Sequence, residues 1–137
     1  MIIDDSGIDA FINQKMIQNY GFADKIYTYN SASSAIEFFK NFERLTELPY
    51  SILPNIIFLD LNMPNQDGFE FIEALDMLSE RLTRHVKVAF VSSSNSPEDI
   101  ERSKSYKRVI SYIVKPISFH HLDTIQEILN ELEEQKQ

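Results

Sequence analysis

Two hydrophobic patterns alternate along the chain. Short, nearly continuous apolar runs rich in β-branched and aromatic residues recur, and they are Met1–Ile3, Ile26–Tyr29, Ile56–Leu59, Val86–Val91 and Val109–Val114. Unbroken runs of this kind are typical of strands buried on both faces of a parallel sheet. In the longer segments between them, apolar residues recur at every third or fourth position, and this spacing predicts helices.

Five segments are predicted to be helical. One face is marked in the first by Ile8, Phe11, Ile12, Lys15, Met16 and Tyr20, in the second by Ala32, Ala35, Ile36, Phe39 and Phe42, in the third by Phe71, Ile72, Leu75 and Leu78, and in the fifth by Leu122, Ile125, Ile128, Leu129 and Leu132. The fourth is predicted from its start, where Ser96 is a helix cap, Pro97 takes the first helical position and Asp99 closes a capping box. It is expected to end near Lys104.

The alternation of strands and helices indicates a doubly wound α/β fold. Parallel strands need crossover connections, and those connections are right-handed. No stretch of the sequence has the composition of a linker, so we expect residues 1–137 to form a single domain.

Composition excludes several classes of function. The chain carries 21 acidic and 13 basic residues and a net charge of −8, which argues against nucleic-acid binding. It has no cysteine, so disulfides and thiolate zinc sites are excluded, and its 3 glycines exclude Gly-rich phosphate loops. No apolar run approaches the roughly 20 residues of a membrane span. With Asp4 so close to the start we expect no signal peptide, and we expect a cytoplasmic protein.

The polar residues that follow the predicted strands are the candidates for chemistry. In open α/β sheets, sites lie beyond the carboxyl ends of the strands. Asp4 and Asp5 follow the first apolar run, Asp60 the third, Ser92 the fourth and Lys115 the fifth. Clustered carboxylates repel one another, and a hard divalent cation such as Mg²⁺ removes that repulsion.

A cation beside a carboxylate, a hydroxyl and a lysine can hold a phosphoryl group. Phosphoryl transfer requires positioning and charge neutralisation more than covalent help from the protein. Asp60 can be the nucleophile that becomes an aspartyl phosphate. Ser92 can donate a hydrogen bond to one phosphoryl oxygen, and Lys115 can pair with another.

These residues resemble the receiver domain of two-component response regulators. The matching positions are Asp4-Asp5, Asp60-Leu61-Asn62-Met63-Pro64 with Gly68, Ser92, and Tyr112-Ile113-Val114-Lys115-Pro116, in order along essentially the whole chain. The resemblance implies a five-stranded parallel sheet of flavodoxin-like order 2-1-3-4-5, flanked by five helices. It also implies a single-domain regulator whose phosphodonor is a histidine kinase or phosphotransfer protein.

The resemblance assigns a role to each matching residue. It makes Asp60 both the phosphoacceptor and a Mg²⁺ ligand, Asp5 a direct Mg²⁺ ligand, Asp4 a ligand through water, and Asn62 the donor of a backbone carbonyl to the metal. Ser92 and Tyr112 become the switch residues and Lys115 the phosphate contact. The Lys115–Pro116 bond is expected to be cis. An unidentified downstream protein would read the switched surface, and a homodimer through the fourth helix, fifth strand and fifth helix is possible, with neither nucleic acid nor membrane as a partner.

Three features depart from the family pattern. The first strand is short, Ser6 stands where a third acid is common, and Ser92 replaces the more frequent threonine. Two other functions stay open. One is a Mg²⁺-dependent phosphohydrolase with an aspartyl nucleophile, although enzymes of the haloacid-dehalogenase type place a second acid where this chain has Asn62. The other is a degenerate receiver that acts only as a binding module.

Overall fold

The computed structural model describes residues 1–135, and its centre is a five-stranded, all-parallel sheet. The strands are β1 (Ile2–Ile3), β2 (Thr28–Tyr29), β3 (Ile56–Leu59), β4 (Lys87–Ser92) and β5 (Val109–Val114). Their order in the sheet is β2-β1-β3-β4-β5. The predicted doubly wound fold and its strand order are therefore confirmed.

Six helices surround the sheet in the described part of the chain, one more than predicted. They are α1 (Gly7–Tyr20), α2 (Ala32–Lys40), α3 (Gly68–Asp76), α4 (Glu80–Thr83), α5 (Pro97–Ser103) and α6 (Phe119–Gln135). The additional helix is the single turn α4, which buries Leu82 and Thr83 just before β4. A helix of four residues is too short to have a recognisable apolar period, which is why the sequence pattern did not predict it. The helices predicted as the fourth and fifth are thus α5 and α6.

The core is divided into two clusters by the sheet. Ile3, Ile57 and Leu59 belong to the cluster beneath α2 and α3. Ile2 and Phe58 belong to the cluster beneath α1 and α6. Because successive side chains of a strand point to opposite faces, this alternation places one cluster on each side of the sheet. The central strands β1 and β3 are apolar throughout because they are buried on both faces, as the sequence pattern indicated, whereas the edge strands β2 and β5 are only partly buried.

Only part of the face that the sequence pattern marks on α1 packs on the core, since Met16 and Tyr20 are partly buried against it. Ile8, Phe11 and Ile12 are 74%, 60% and 45% exposed. The buried residues of α1 are Ala10, Asn13 and Ile17. This second stripe has the same helical spacing, and the small side chain of Ala10 allows the helix to approach the sheet closely. An apolar stripe beside the carboxyl edge of the sheet is consequently left in contact with solvent.

The caps of two helices fix the loops that border this edge. Ser6 caps α1, since its Oγ accepts a hydrogen bond from the Asp9 backbone at 3.2 Å. Ser96 caps α5, but the predicted capping box is not formed, because the Asp99 carboxylate accepts a hydrogen bond from Ser94 Oγ at 2.8 Å instead. Ser96 donates its backbone N–H to Ser94 Oγ at 3.2 Å. Ser94 thereby ties the loop after β4 to the start of α5.

Within residues 1–135, no helix combines the length and the apolar character that a membrane span requires.

Candidate functional site

Three carboxylates meet at the carboxyl edge of the sheet. Asp4 follows β1 and Asp60 follows β3, and the two strands are paired in parallel so that Asp60 donates its backbone N–H to Ile3 O at 2.9 Å. Asp4 and Asp60 are buried, with exposures of 2% and 7%, and Asp5 is exposed. One oxygen of each carboxylate lies within 4.8 Å of one oxygen of each of the others.

Local backbone contacts hold the acidic residues in place. Asp4 Oδ1 accepts the Ser6 backbone N–H at 2.9 Å, which orients that carboxylate just before α1 begins. Behind Asp60, the loop from β3 folds back so that Gly68 donates to Leu61 O at 2.8 Å. A Cβ on Gly68 would lie 2.7 Å from the Phe90 ring and 2.9 Å from the Asp60 carbonyl oxygen. The approach of α3 to the acceptor strand therefore depends on a residue without a side chain.

Lys115 brings a positive charge to these carboxylates. Its backbone N–H bonds to Ser92 O at 2.8 Å, and its peptide bond to Pro116 is cis. The Nζ atom lies 3.0 Å from Asp4 Oδ2, 2.9 Å from Asp9 Oδ2 and 3.7 Å from Asp60 Oδ1. The Lys115 side chain is only 16% exposed, so the ammonium faces the acidic groups rather than bulk water.

The electrostatics of the site act most strongly on Asp60. Burial, and next the negative charge of Asp4, raise the pKa of the Asp60 carboxyl from 3.8 to about 7, and the charge of Lys115 offsets part of this increase. Burial alone would lower the pKa of the Lys115 ammonium, but its hydrogen bonds to Asp9 and Asp4 raise it overall. Lys115 thus stays protonated, while Asp60 carries its negative charge only at an electrostatic cost.

Ser92 and Tyr112 are joined through the loop that follows β4. The Ser92 side chain is fully buried, and its Oγ accepts the Ser94 backbone N–H at 3.1 Å. The Tyr112 hydroxyl donates to Ser94 O at 2.9 Å, and its ring lies 5.9 Å from that of Phe90. One short loop therefore connects the end of β4 with an aromatic side chain of β5.

Two further residues complete the site. Asn62 lies two positions after Asp60, with an exposed side chain, in the loop that leads to α3. Asp9 was not among the residues expected from the sequence, because it does not follow a strand directly. The available signal was its place in the first turn of α1, a helix that begins at the acidic edge.

The donor chemistry fits Mg²⁺. This ion takes oxygen ligands, usually one or two carboxylates together with waters and phosphate oxygens. The clustered carboxylates of Asp4, Asp5 and Asp60 provide such donors, and the two buried ones carry a repulsion that a cation would relieve.

Known proteins resemble this chain over most of its length. The family model described as response regulator receiver domain matches residues 1–127. The probable methanogenesis regulatory protein FilR2 of Methanothrix harundinacea is 31% identical over 129 residues, covering 93% of this chain and 79% of that protein.

Solved structures share the fold over nearly their full length. A two-component response regulator from Cytophaga hutchinsonii superposes with a TM-score of 0.82 at 25% identity, with 95% of this chain and 94% of that chain covered. A response regulator receiver protein from Dyadobacter fermentans superposes with a TM-score of 0.78 at 29% identity, with 93% and 94% covered.

Proposed function

Since the chain belongs to the response regulator receiver domain family, we propose that it is a phosphoacceptor that takes a phosphoryl group on Asp60 from a histidine kinase or a phosphotransfer protein. The observation that carries the proposal is the position of Lys115 Nζ, 3.7 Å from Asp60 Oδ1 and 3.0 Å from Asp4 Oδ2, above three clustered carboxylates. This is the arrangement of charge that an in-line phosphoryl transfer requires.

In the transfer step, a carboxylate oxygen of Asp60 attacks the phosphorus of a phosphohistidine. The new P–O bond forms as the P–N bond breaks, and the imidazole of the donor leaves with the bonding electron pair. The raised pKa of Asp60 means that its ionised form needs a nearby positive charge at neutral pH. Lys115 supplies one such charge, and its Nζ is close enough to bond a phosphoryl oxygen on Asp60 with little movement.

Mg²⁺, when bound, would supply the remaining positive charge that offsets the negative charge of the phosphoryl oxygens. We assign Asp5 and Asp60 as direct ligands, Asp4 as a ligand through water, and the backbone carbonyl of Asn62 as a further donor. The exposed position of Asp5 and the buried position of Asp60 would leave the cation partly open to water, as Mg²⁺ prefers.

The switch follows from the loop after β4. In the phosphorylated protein, the Ser92 hydroxyl donates to a phosphoryl oxygen. Moving Ser92 also moves Ser94, whose backbone bonds both to Ser92 Oγ and to the Tyr112 hydroxyl. A shift of the equilibrium between the resting and the switched conformation from 1:99 to 99:1 requires about 5.5 kcal/mol of differential stabilisation. Hydrogen bonds to charged groups contribute about 1.5–3 kcal/mol each, so two to four of them suffice.

The surface that changes is formed by α5, β5 and α6. Tyr112 belongs to β5, and Val114, the last residue of that strand, is 40% exposed. We assign this surface to the downstream protein, and a homodimer through it is the alternative occupant. Residues 1–137 would act as one receiver domain. We expect it to act in the cytoplasm.

The phosphodonor is assigned to the exposed face of α1. Ile8, Phe11 and Ile12 form an apolar stripe on the helix that begins directly after Asp4 and Asp5. Exposed apolar surface of this kind marks protein contacts. A donor protein seated there would present its phosphohistidine to Asp60.

The test is phosphorylation by labelled acetyl phosphate with Mg²⁺, in which the donor protein is not needed. Wild-type protein should take up label once per chain, and Asp60→Asn should take up none. The matched control is Asp24→Asn, which removes one carboxylate from an exposed loop before β2, at the opposite edge of the sheet. Label that persists on Asp60→Asn would refute the acceptor assignment.

Two further measurements separate the other functions. Release of phosphate from a generic phosphomonoester over many turnovers would favour the phosphohydrolase. Protein that neither takes up label nor gains thermal stability with Mg²⁺ would favour a binding module.

A further inference from the structure

Lys115 is held by two carboxylates, and one of them lies outside the acidic cluster. Its Nζ is 2.9 Å from Asp9 Oδ2 and 3.0 Å from Asp4 Oδ2, whereas Asp60 Oδ1 is farther away at 3.7 Å. We propose that Asp9 is a positioning residue that holds the Lys115 ammonium in the unphosphorylated protein and so weakens its attraction for a phosphoryl group on Asp60. This inference rests on the function proposed above.

The competition follows from the number of donors and the charge. An ammonium has three N–H groups, and Asp4 and Asp9 each accept one from Lys115. The carboxylate of Asp9 also adds a negative charge near Asp60. Since the Asp9 and Asp60 oxygens lie close to the same Nζ atom, they are at most about 7 Å apart, a distance at which one unit charge changes an equilibrium constant about threefold even in bulk water.

Asp9 is the partner that Lys115 can leave. The Asp9 side chain is 40% exposed, so water can solvate its carboxylate once the ammonium moves away. The Asp4 side chain is 2% exposed, and leaving it without its partner would strand a buried charge. The Asp9 backbone stays bonded to Ser6 Oγ, so α1 can keep its start in both states. Phosphorylation of Asp60 would then exchange the Asp9 contact for a phosphoryl contact.

The test measures the affinity for beryllofluoride, which mimics a phosphoryl group on a carboxylate, by isothermal titration calorimetry at saturating Mg²⁺. Asp9→Asn should bind beryllofluoride about three- to fivefold more tightly than wild type, because Lys115 has lost a competing partner. Asp9→Glu, which restores the carboxylate, should return toward the wild-type affinity. Asp24→Asn, which changes the net charge equally at the opposite edge, should bind as wild type does.

A second measurement addresses the resting contact without Mg²⁺ or beryllofluoride. A double-mutant cycle on the free energy of unfolding, with Asp9→Asn and Lys115→Gln, should give a favourable coupling between the two residues. Zero coupling would overturn the inference.

The outcomes distinguish this inference from the proposed function. If wild type binds beryllofluoride while Asp9→Asn binds it equally or more weakly, Asp9 does not restrain Lys115 and the inference alone is overturned. Equal tightening in Asp24→Asn would assign the effect to net charge and overturn it too. If wild type does not bind beryllofluoride with Mg²⁺, the proposed function fails and this inference fails with it.

Discussion

Replacement of the Asp60 carboxylate by an amide should stabilise the protein, and increasingly so as the pH rises. Asp60 is buried, and its ionised form is opposed first by that burial and then by the charge of Asp4, which together raise its pKa to about 7. Asparagine has nearly the same shape and no charge. The Asp60→Asn variant therefore removes the electrostatic strain and leaves the packing of the strand end in place.

The magnitude follows from proton linkage. In the unfolded chain the Asp60 carboxyl has a pKa near its ordinary value of 3.8, so between that value and about 7 the folded state binds more protons than the unfolded state. The contribution of Asp60 to the free energy of unfolding of wild type therefore falls as the pH rises through this interval. Each pKa unit corresponds to about 1.4 kcal/mol, so the full loss is about 4 kcal/mol, and Asp60→Asn does not suffer it.

The assay is urea unfolding of both proteins with a chelator present. Near pH 4 the two should have similar stability, because Asp60 is then protonated in the folded protein. Near pH 8 Asp60→Asn should be more stable by about 2–4 kcal/mol. The Met1 amine, whose pKa burial lowers to about 5, titrates in the same range, but it does so in both proteins and is removed from their difference.

Added Mg²⁺ provides the control. Mg²⁺ should reduce the difference in free energy of unfolding between the two proteins at high pH. It stabilises the ionised carboxylate cluster of wild type, whereas the variant lacks one of the ligands. A gap that does not depend on pH, or a wild type that is the more stable protein near pH 8, would refute the electrostatic reasoning.

Four further results are expected. Asp5→Ala should abolish the rise in melting temperature that Mg²⁺ produces in wild type; an unchanged rise would contradict the metal assignment. Lys115→Ala should still accept label from acetyl phosphate with Mg²⁺, though more slowly than wild type because one positive charge is lost, and should show no phosphorylation-dependent change in partner affinity; a wild-type change in partner affinity would argue against its role. Gly68→Ala should lower the free energy of unfolding by about 1–3 kcal/mol, because its Cβ would lie 2.7 Å from the Phe90 ring; unfolding at the wild-type urea midpoint would contradict this. Phe11→Ser should slow phosphotransfer from the donor protein and leave acetyl phosphate uptake unchanged; equal loss with both donors would place Phe11 outside a docking surface.

The sequence predicted the sheet because its strands are mostly apolar, the central ones being buried on both faces, and are separated by helical segments. Their polar ends also identified Asp4, Asp60 and Lys115, which the structure brings together. Residues that follow the strands can be predicted to lie together because the carboxyl ends of parallel strands are all at one edge of the sheet. This prediction does not depend on the order of the strands along that edge. It requires no knowledge of side-chain contacts.

The sequence was less informative about α1. The helix has apolar residues around most of its circumference, so periodicity marked a stripe containing Phe11, whereas the buried stripe contains Ala10, Asn13 and Ile17. Which stripe packs depends on the angle at which the helix meets the sheet. The contact of Asp9 with Lys115 was missed for the same reason, because it depends on how α1 lies over the strand ends.

The proposed function depends above all on Asp60 as the residue that carries the phosphoryl group. Its most direct test is peptide mass spectrometry after treatment with acetyl phosphate and Mg²⁺, with the acyl phosphate trapped by borohydride reduction. The reduced side chain should be found at Asp60 and at no other carboxylate. Modification at a different aspartate, or none at Asp60 in protein that has taken up label, would contradict it.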